Sequence, residues 1–324
     1  MSFVRDARLE RVLTVLVDVA RAEAFLASRF GGGAGDVTHL AAGVWSKAFA
    51  FRRAGHDYVI RFGAHEEDFA KDRLAARYAS PALPIPCVVE LGEALGGYYA
   101  ISERVFGGYI DDVDGAQMRA LLPSLFAALD AARLADLSGT TGYGGWGTDG
   151  TAPYPGWQAA LLDVANDRPA DRIHGWRQRL EASPVGLGPF EQAYEHLRAL
   201  AGRVPEARHL IHSDLLHYNV LVDAGRITGV LDWGCGKYGD FLYDLAWFCF
   251  WQPWYPAWQG IDFRAEAEHH YASTGLDVPN FEERLRCCQI HIGLDGQAYQ
   301  AYAGHWADLQ ETAQRTLGVA TGSI

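Results

Sequence analysis

The sequence is short of basic residues and of paired thiols. Its 324 residues carry 28 Lys and Arg against 40 Asp and Glu, a formal net charge of −12 at pH 7. Nucleic-acid binding depends on cations that neutralise phosphates, so a surface this acidic argues against a nucleic-acid partner. It raises the local concentration of cationic ligands instead. The cysteines (Cys87, Cys235, Cys249, Cys287 and Cys288) are odd in number, form no C-x-x-C, and include an adjacent pair that is badly placed for a disulfide. A reducing compartment follows. No stretch approaches the roughly 20 apolar residues that span a bilayer, so no membrane partner is expected. Residues 12–17 are mostly apolar, and Ala20-Arg21-Ala22 has the form of a signal-peptidase site. The run is short, however, Asp18 cuts it, and Asp6 and Glu10 lie among the arginines. It reads as an amphipathic helix, and the expectation is a cytoplasmic protein, with a monomer as its expected state.

Several nucleotide and metal signatures are also missing. There is no G-x-x-x-x-G-K-[ST], which excludes a P-loop nucleotidase. Gly142-Tyr143-Gly144-Gly145-Trp146-Gly147 has the letters of a dinucleotide fingerprint. A helix precedes it and a Pro-broken loop follows, so the strand–turn–helix context is absent. His209, His212 and His217 cluster in sequence, yet no H-E-x-x-H and no Cys/His spacing of a zinc site occurs.

What the chain does have is material for a large interior: 49 % hydrophobic residues, including 10 Trp, 15 Tyr and 15 Phe. Extensive disorder is excluded, and the length suggests two domains or lobes. Gly31-Gly32-Gly33-Ala34-Gly35 leads into residues 37–62, which read as strands with a turn at 41–43 and a hairpin at Gly55-His56-Asp57. Residues 66–78 are charged and helix-prone. Pro81, Pro84 and Pro86 end that helix, and 87–91 and 98–104 form a second strand pair. The rest is mainly helical, clearest at 117–135 and 190–201, with a β hairpin at 219–222 and 226–231 across Asp223-Ala224-Gly225. The fold class is α+β, a small antiparallel sheet with one helix against it, followed by a helical portion.

The segment richest in chemistry is His212-Ser213-Asp214-Leu215-Leu216-His217-Tyr218-Asn219, followed by Val230-Leu231-Asp232-Trp233-Gly234. Phosphoryl transfer to an alcohol needs a carboxylate to orient the hydroxyl and accept its proton, and oxygen ligands for the Mg2+ that neutralises the triphosphate. An H-x-D-x-x-x-x-N loop supplies the carboxylate and, five residues on, an amide oxygen. A second Asp after a short hairpin supplies the remaining ligand. Each piece alone is explained by a solvated or buried Asp; their occurrence together and in this order is not.

These motifs, with Gly239-Asp240-Phe241-Leu242-Tyr243-Asp244-Leu245-Ala246 after them, resemble those of the aminoglycoside phosphotransferases, relatives of the protein kinases. The likeness runs from about residue 38 to about 300. It is greatest toward the hygromycin-B branch, through stretches such as Lys71-Asp72-Arg73, Phe250-Trp251-Gln252-Pro253-Trp254 and Ile292-Gly293-Leu294-Asp295. The resemblance implies a bilobal kinase-like fold, with residues 1–105 as the nucleotide-binding lobe and 106–324 as the catalytic and acceptor-binding lobe. It implies Asp214 as catalytic base and Asn219 and Asp232 as magnesium ligands. The backbone of Ser102-Glu103-Arg104-Val105 becomes a hinge that meets the purine of ATP or GTP. Arg61 falls where the family usually has a phosphate-contacting Lys. Its helix partner is expected to be Asp72, with Glu66 and Glu67 as competitors and Lys47 as an alternative cation. Ser46, in the nucleotide loop 41–48, is expected to contact phosphate. Asp244 is expected to brace the catalytic loop, and residues 247–258 to be core. Asp240, Asp262, Glu266, Glu268 and Asp295 are candidates to meet ammonium groups of a cationic aminoglycoside such as hygromycin B. The alternatives are a kinase of another hydroxylated metabolite, an amino alcohol or sugar, and a kinase-like binding module without turnover.

Overall fold

A computed structural model of the chain describes residues 17–43 and 45–324. The amphipathic helix expected at 12–17 lies outside the described residues, apart from Val17, which is buried. By its contacts the chain divides into two units. One runs to Val113 and adds Gly147–Asp149 and Tyr218–Cys235; the other comprises Asp114–Trp146, Gly150–His217 and Gly236–Ile324.

The first unit opens with helix α1 (Val19–Phe30), capped by Asp18, whose side chain accepts the Arg21 N–H at 2.9 Å. Gly31, at φ +62°, ends it in the left-handed region that favours glycine. Five antiparallel strands follow: β1 (Ala34–Ala42), β2 (Ser46–Arg53), β3 (His56–Gly63), β4 (Val88–Ala94) and β5 (Gly97–Glu103), in the order β1-β2-β3-β5-β4. Phe49, Phe51, Ile60, Phe62, Tyr99 and Ile101 form a core with Ala22 and Leu26 of α1. That alternation of inward apolar residues is what made these strands readable in sequence. Helix α2 (Glu66–Ala75) follows β3, with Glu66, Glu67 and Asp68 in its first turn, where the helix dipole favours acids. It buries Phe69 and Leu74, but also Lys71 and Asp72. Charged residues on a buried helix face need partners, and α2 finds them in the site described below. A second sheet joins β6 (Gly108–Tyr109) to the expected hairpin of β9 (Val220–Asp223) and β10 (Arg226–Val230). The Val230 N–H donates to the Pro84 carbonyl at 2.8 Å.

The second unit is mainly helical. Helix α3 (Gly115–Arg133) starts on a capping box of Asp114 and Gln117. Then come α4 (Trp157–Leu162), α5 (Trp176–Ala182), α6 (Gly188–Ala201), α7 (Leu242–Trp251), α8 (Phe263–Thr274), α9 (Phe281–Ala303) and α10 (Trp306–Thr321). Helix α9 packs against α5, α6, α7 and α10. Its Gly293 is required there, because a Cβ would run into Thr316 Oγ1 and the Phe250 ring. The strands β7 (Gly144–Gly145), β8 (His209–Ile211) and β11 (Lys237–Gly239) form a small sheet in the order β7-β11-β8. The glycine run at 142–147 is therefore structural. A Cβ on Gly142 would collide with the Ala152 carbonyl oxygen. Residues 247–258 are largely core: Trp247, Phe248, Phe250, Trp251 and Trp258 are buried.

His291 of α9 sits in this interior, hydrogen-bonded through Nδ1 to the Tyr243 hydroxyl at 2.9 Å. Burial pushes its pKa down from 6.5 to about 4, so the folded ring is neutral. Between those values the unfolded chain binds the proton and the folded one does not, so stability falls as the pH drops from 6.5 toward 4. The contribution is at most about 3 kcal/mol. Urea unfolding of the wild type and of His291→Asn across pH 7 to 4 should show that part of the acid slope missing in the variant.

Candidate active site

Two clusters carry the sequence-predicted residues, one in each unit. In the first unit the open end of the β9–β10 hairpin sets Asn219 beside Asp232, since the Leu231 N–H donates to the Asn219 carbonyl at 2.8 Å. Asp232 has φ +58°, a left-handed conformation that costs a non-glycine residue about 1–2 kcal/mol. Helix α2 holds the segment that follows it. One oxygen of Asp72 pairs with the Arg61 guanidinium, and the other accepts the Trp233 N–H at 2.7 Å. Lys71 Nζ donates to the Gly234 carbonyl at 3.2 Å and pairs with Glu67 at 2.8 Å. Asp72, the expected partner, takes Arg61; of its competitors, Glu67 is engaged with Lys71 and Glu66 faces solvent.

The Arg61–Asp72 pair keeps only 19 % and 7 % of its side-chain exposure, so its charges are largely desolvated. Burial lowers the Arg61 pKa, while the carboxylates of Asp232 and Asp68 raise it. An arginine so placed stays protonated. A Cβ on Gly234 would lie 3.3 Å from Asp68 Oδ1 and 3.4 Å from Asp232 Oδ1, so these two carboxylates converge there. Asp68 and Lys71 were missed by the sequence reading. The spacing of Asp68 and Asp72, four residues apart on one helix face, was the available signal.

The other expected nucleotide residues lie on the same sheet. Ser46 opens β2 opposite Gly63, and its carbonyl accepts the Gly43 N–H at 2.8 Å. Ser102 sits in β5 between Val59 and Val88. The N–H groups of Glu103 and Arg104 donate to the carbonyls of Cys87 and Asp57, both at 3.1 Å. Those two donors are thus engaged in the sheet, and the Arg104 guanidinium lies over the Phe106 ring at 4.6 Å. Lys47 Nζ reaches the Val17 carbonyl at 3.4 Å.

In the second unit the loop after β8 is held by Asp244, buried near the start of α7. Its carboxylate accepts the His212 N–H at 2.9 Å and the Ser213 N–H at 2.7 Å. Burial raises the Asp244 pKa, opposed by neighbouring His212, the two N–H donors and Lys237. Asp244 therefore braces the loop, as expected. Ser213 has φ +63°, and its hydroxyl accepts from Lys237 Nζ at 2.8 Å. The Asp214 N–H donates to His212 Nδ1 at 3.2 Å, and the Asp214 carboxylate meets His217 Nδ1 at 3.0 Å. The chain then passes through His217 and Tyr218, also left-handed at φ +63° and +71°. Within the first unit, Asp111 accepts the Tyr218 N–H at 2.9 Å.

The acids proposed for ammonium groups divide. Asp240 is corrected: it is buried in a two-point ion pair with Arg284, both contacts at 2.8 Å, and is not a surface carboxylate. Asp262 is exposed but caps α8 by accepting the N–H groups of Arg264 and Ala265. Glu266 and Glu268 are exposed and Asp295 is half-buried. Among the described residues no group of three or more His, Cys, Asp or Glu is placed to hold a metal ion.

Comparison with known proteins shows the family and the fold. The model of the phosphotransferase enzyme family matches residues 36–283. A hygromycin-B 4-O-kinase of Escherichia coli is 34 % identical over 281 residues, 86 % of this chain and 78 % of that enzyme. The crystal structure of aminoglycoside phosphotransferase APH(4)-Ia superposes with a TM-score of 0.81 at 31 % identity, covering 95 % of this chain and 100 % of that one. A thermostable mutant of the same enzyme, in a ternary complex with AMP-PNP and hygromycin B, gives 0.80 at 32 % identity, covering 93 % and 98 %. The α+β, protein-kinase-like fold expected from the sequence is the one found. The extent of the family match, the identity to the relative and the fold agree, and the chain belongs to the aminoglycoside phosphotransferase (APH) group, the phosphotransferase enzyme family.

Proposed function

We propose that this chain transfers the γ-phosphoryl group of ATP or GTP to a hydroxyl of hygromycin B, inactivating the antibiotic in the cytoplasm. One observation carries the reading: identity of 34 % extends over 281 residues to an enzyme named for that acceptor and for its O-4 position. On a chain of 324 residues a match of that length takes in α7, which lies outside the phosphotransfer motifs. In the reaction Asp214 accepts a hydrogen bond from the acceptor hydroxyl and takes its proton as the oxygen bonds to the γ-phosphorus. The bond to the β–γ bridging oxygen breaks, and the nucleoside diphosphate leaves with that electron pair. Arg61, held by Asp72, neutralises phosphate charge with a planar donor pair where the family usually has a lysine.

Asn219 and Asp232 would hold Mg2+. An amide and a carboxylate oxygen at the end of one hairpin suit a hard cation that keeps its other positions for water and phosphates. When bound, the metal neutralises the triphosphate. Ser46 and the 102–105 segment flank the nucleotide, with the purine read by groups other than the engaged N–H donors of Glu103 and Arg104. The net charge of −12 and the exposed Glu266 and Glu268 favour a polycationic acceptor. The protein acts on small molecules as a monomer, with no nucleic-acid partner. No helix among the described residues is long and apolar enough to cross a membrane.

The direct test is purified protein assayed over a panel of aminoglycosides with ATP and GTP, read by mass for an added phosphate. Hygromycin B should be modified, and expression in a sensitive bacterium should raise tolerance to it. Modification of other aminoglycosides but not hygromycin B would refute the acceptor. Asp214→Ala should lose turnover by at least about 10²-fold while still binding nucleotide; retention of more than about a tenth would reject Asp214 as base. Asp232→Ala should lose magnesium-dependent nucleotide affinity as well as rate, and an unchanged magnesium titration would make Asp232 merely structural. Arg61→Lys should keep part of the activity and Arg61→Ala lose most of it, chiefly in nucleotide KM if the contact is made in the ground state. Full activity in Arg61→Ala would move the phosphate contact to Lys47 or another cation.

A further inference from the structure

We propose that His217 is a positioning residue that fixes the plane of the Asp214 carboxylate. The inference rests on the reading of Asp214 as the base. His217 Nδ1 lies 3.0 Å from Asp214 Oδ1. An ionised carboxylate only accepts, so Nδ1 carries the proton and the tautomer is set. The terminal torsion of an aspartate is broad, and a carboxylate on a loop has no preferred plane of its own. A donor in a fixed place supplies one.

That donor is itself held. The His217 ring meets Trp247 edge-on at 6.1 Å and 80°, and Trp251 at 5.8 Å and 73°. Both indoles project from α7, the helix that also supplies Asp244. Positions 244, 247 and 251 are spaced three and four apart and share a helix face. One helix thus fixes the backbone before Asp214, through Asp244, and the side chain of Asp214, through His217. The φ of +63° at His217 points the same way. Left-handed backbone at a non-glycine residue costs about 1–2 kcal/mol and persists where its surroundings over-determine it.

Two substitutions separate the donor from the ring. His217→Asn keeps an N–H donor close to the position of Nδ1 and removes the ring. His217→Phe keeps a ring against the tryptophans and removes the donor. The expected result is a loss of between about 10- and 100-fold in kcat for His217→Phe, with both substrate KM values changed less than about twofold. His217→Asn should stay within about fivefold of wild type, with both variants melting as cooperatively as the parent. Full activity in His217→Phe overturns the inference, and so does an equal loss in both variants, which would place the role in the ring. If His217→Phe fails to fold, the asparagine variant decides: a kcat loss beyond about tenfold in a folded protein overturns the inference. Asp214→Ala, measured alongside, keeps the two readings apart. An inactive Asp214→Ala with an active His217→Phe removes only the role of His217, whereas an active Asp214→Ala removes the base itself.

Discussion

The Asp72 carboxylate is the interaction on which the first unit's site depends. With one oxygen on Arg61 and the other on the Trp233 N–H, it ties a sheet strand to the residue after Asp232. The pair is largely withdrawn from water, so removing either partner leaves a buried charge, a change that costs about 3–5 kcal/mol where burial is complete. A surface pair would be worth less than about 1 kcal/mol. Helix α2 therefore buries charged residues for a chemical reason. Its inner face carries Asp68, Lys71 and Asp72, and each engages or approaches the 232–234 segment.

Strained backbone marks the same places. Ser213, His217, Tyr218 and Asp232 all adopt left-handed φ without being glycine, and all four lie in or beside the two phosphotransfer motifs. Such conformations survive where several contacts agree on them. Here the agreement comes from aspartates that accept main-chain N–H groups: Asp244 takes His212 and Ser213, Asp111 takes Tyr218, and Asp72 takes Trp233. A carboxylate bonded to backbone N–H fixes the chain's path whatever side chain the loop carries, so the path does not depend on the side chains of Asp214, Asn219 and Asp232.

The sequence by itself determined what is local. Turn residues and extended apolar runs placed strands within residues 37–62, proline and glycine placed the breaks, and the spacing of Asp214, Asn219 and Asp232 pointed to phosphoryl transfer. Each of these depends on neighbours a few residues away, so the pattern survives in one dimension. Only the tertiary structure decided which charges pair. It settled Arg61 on Asp72, the partner the resemblance implied, over Glu66 and Glu67, set Asp240 against Arg284 in the interior, and turned His217 from a histidine near a motif into a donor on Asp214. The physical reason is that partner choice depends on where separate elements cross and on which groups lose their water there. Residues 61, 72 and 233 are brought together by packing, and no spacing along the chain encodes that meeting.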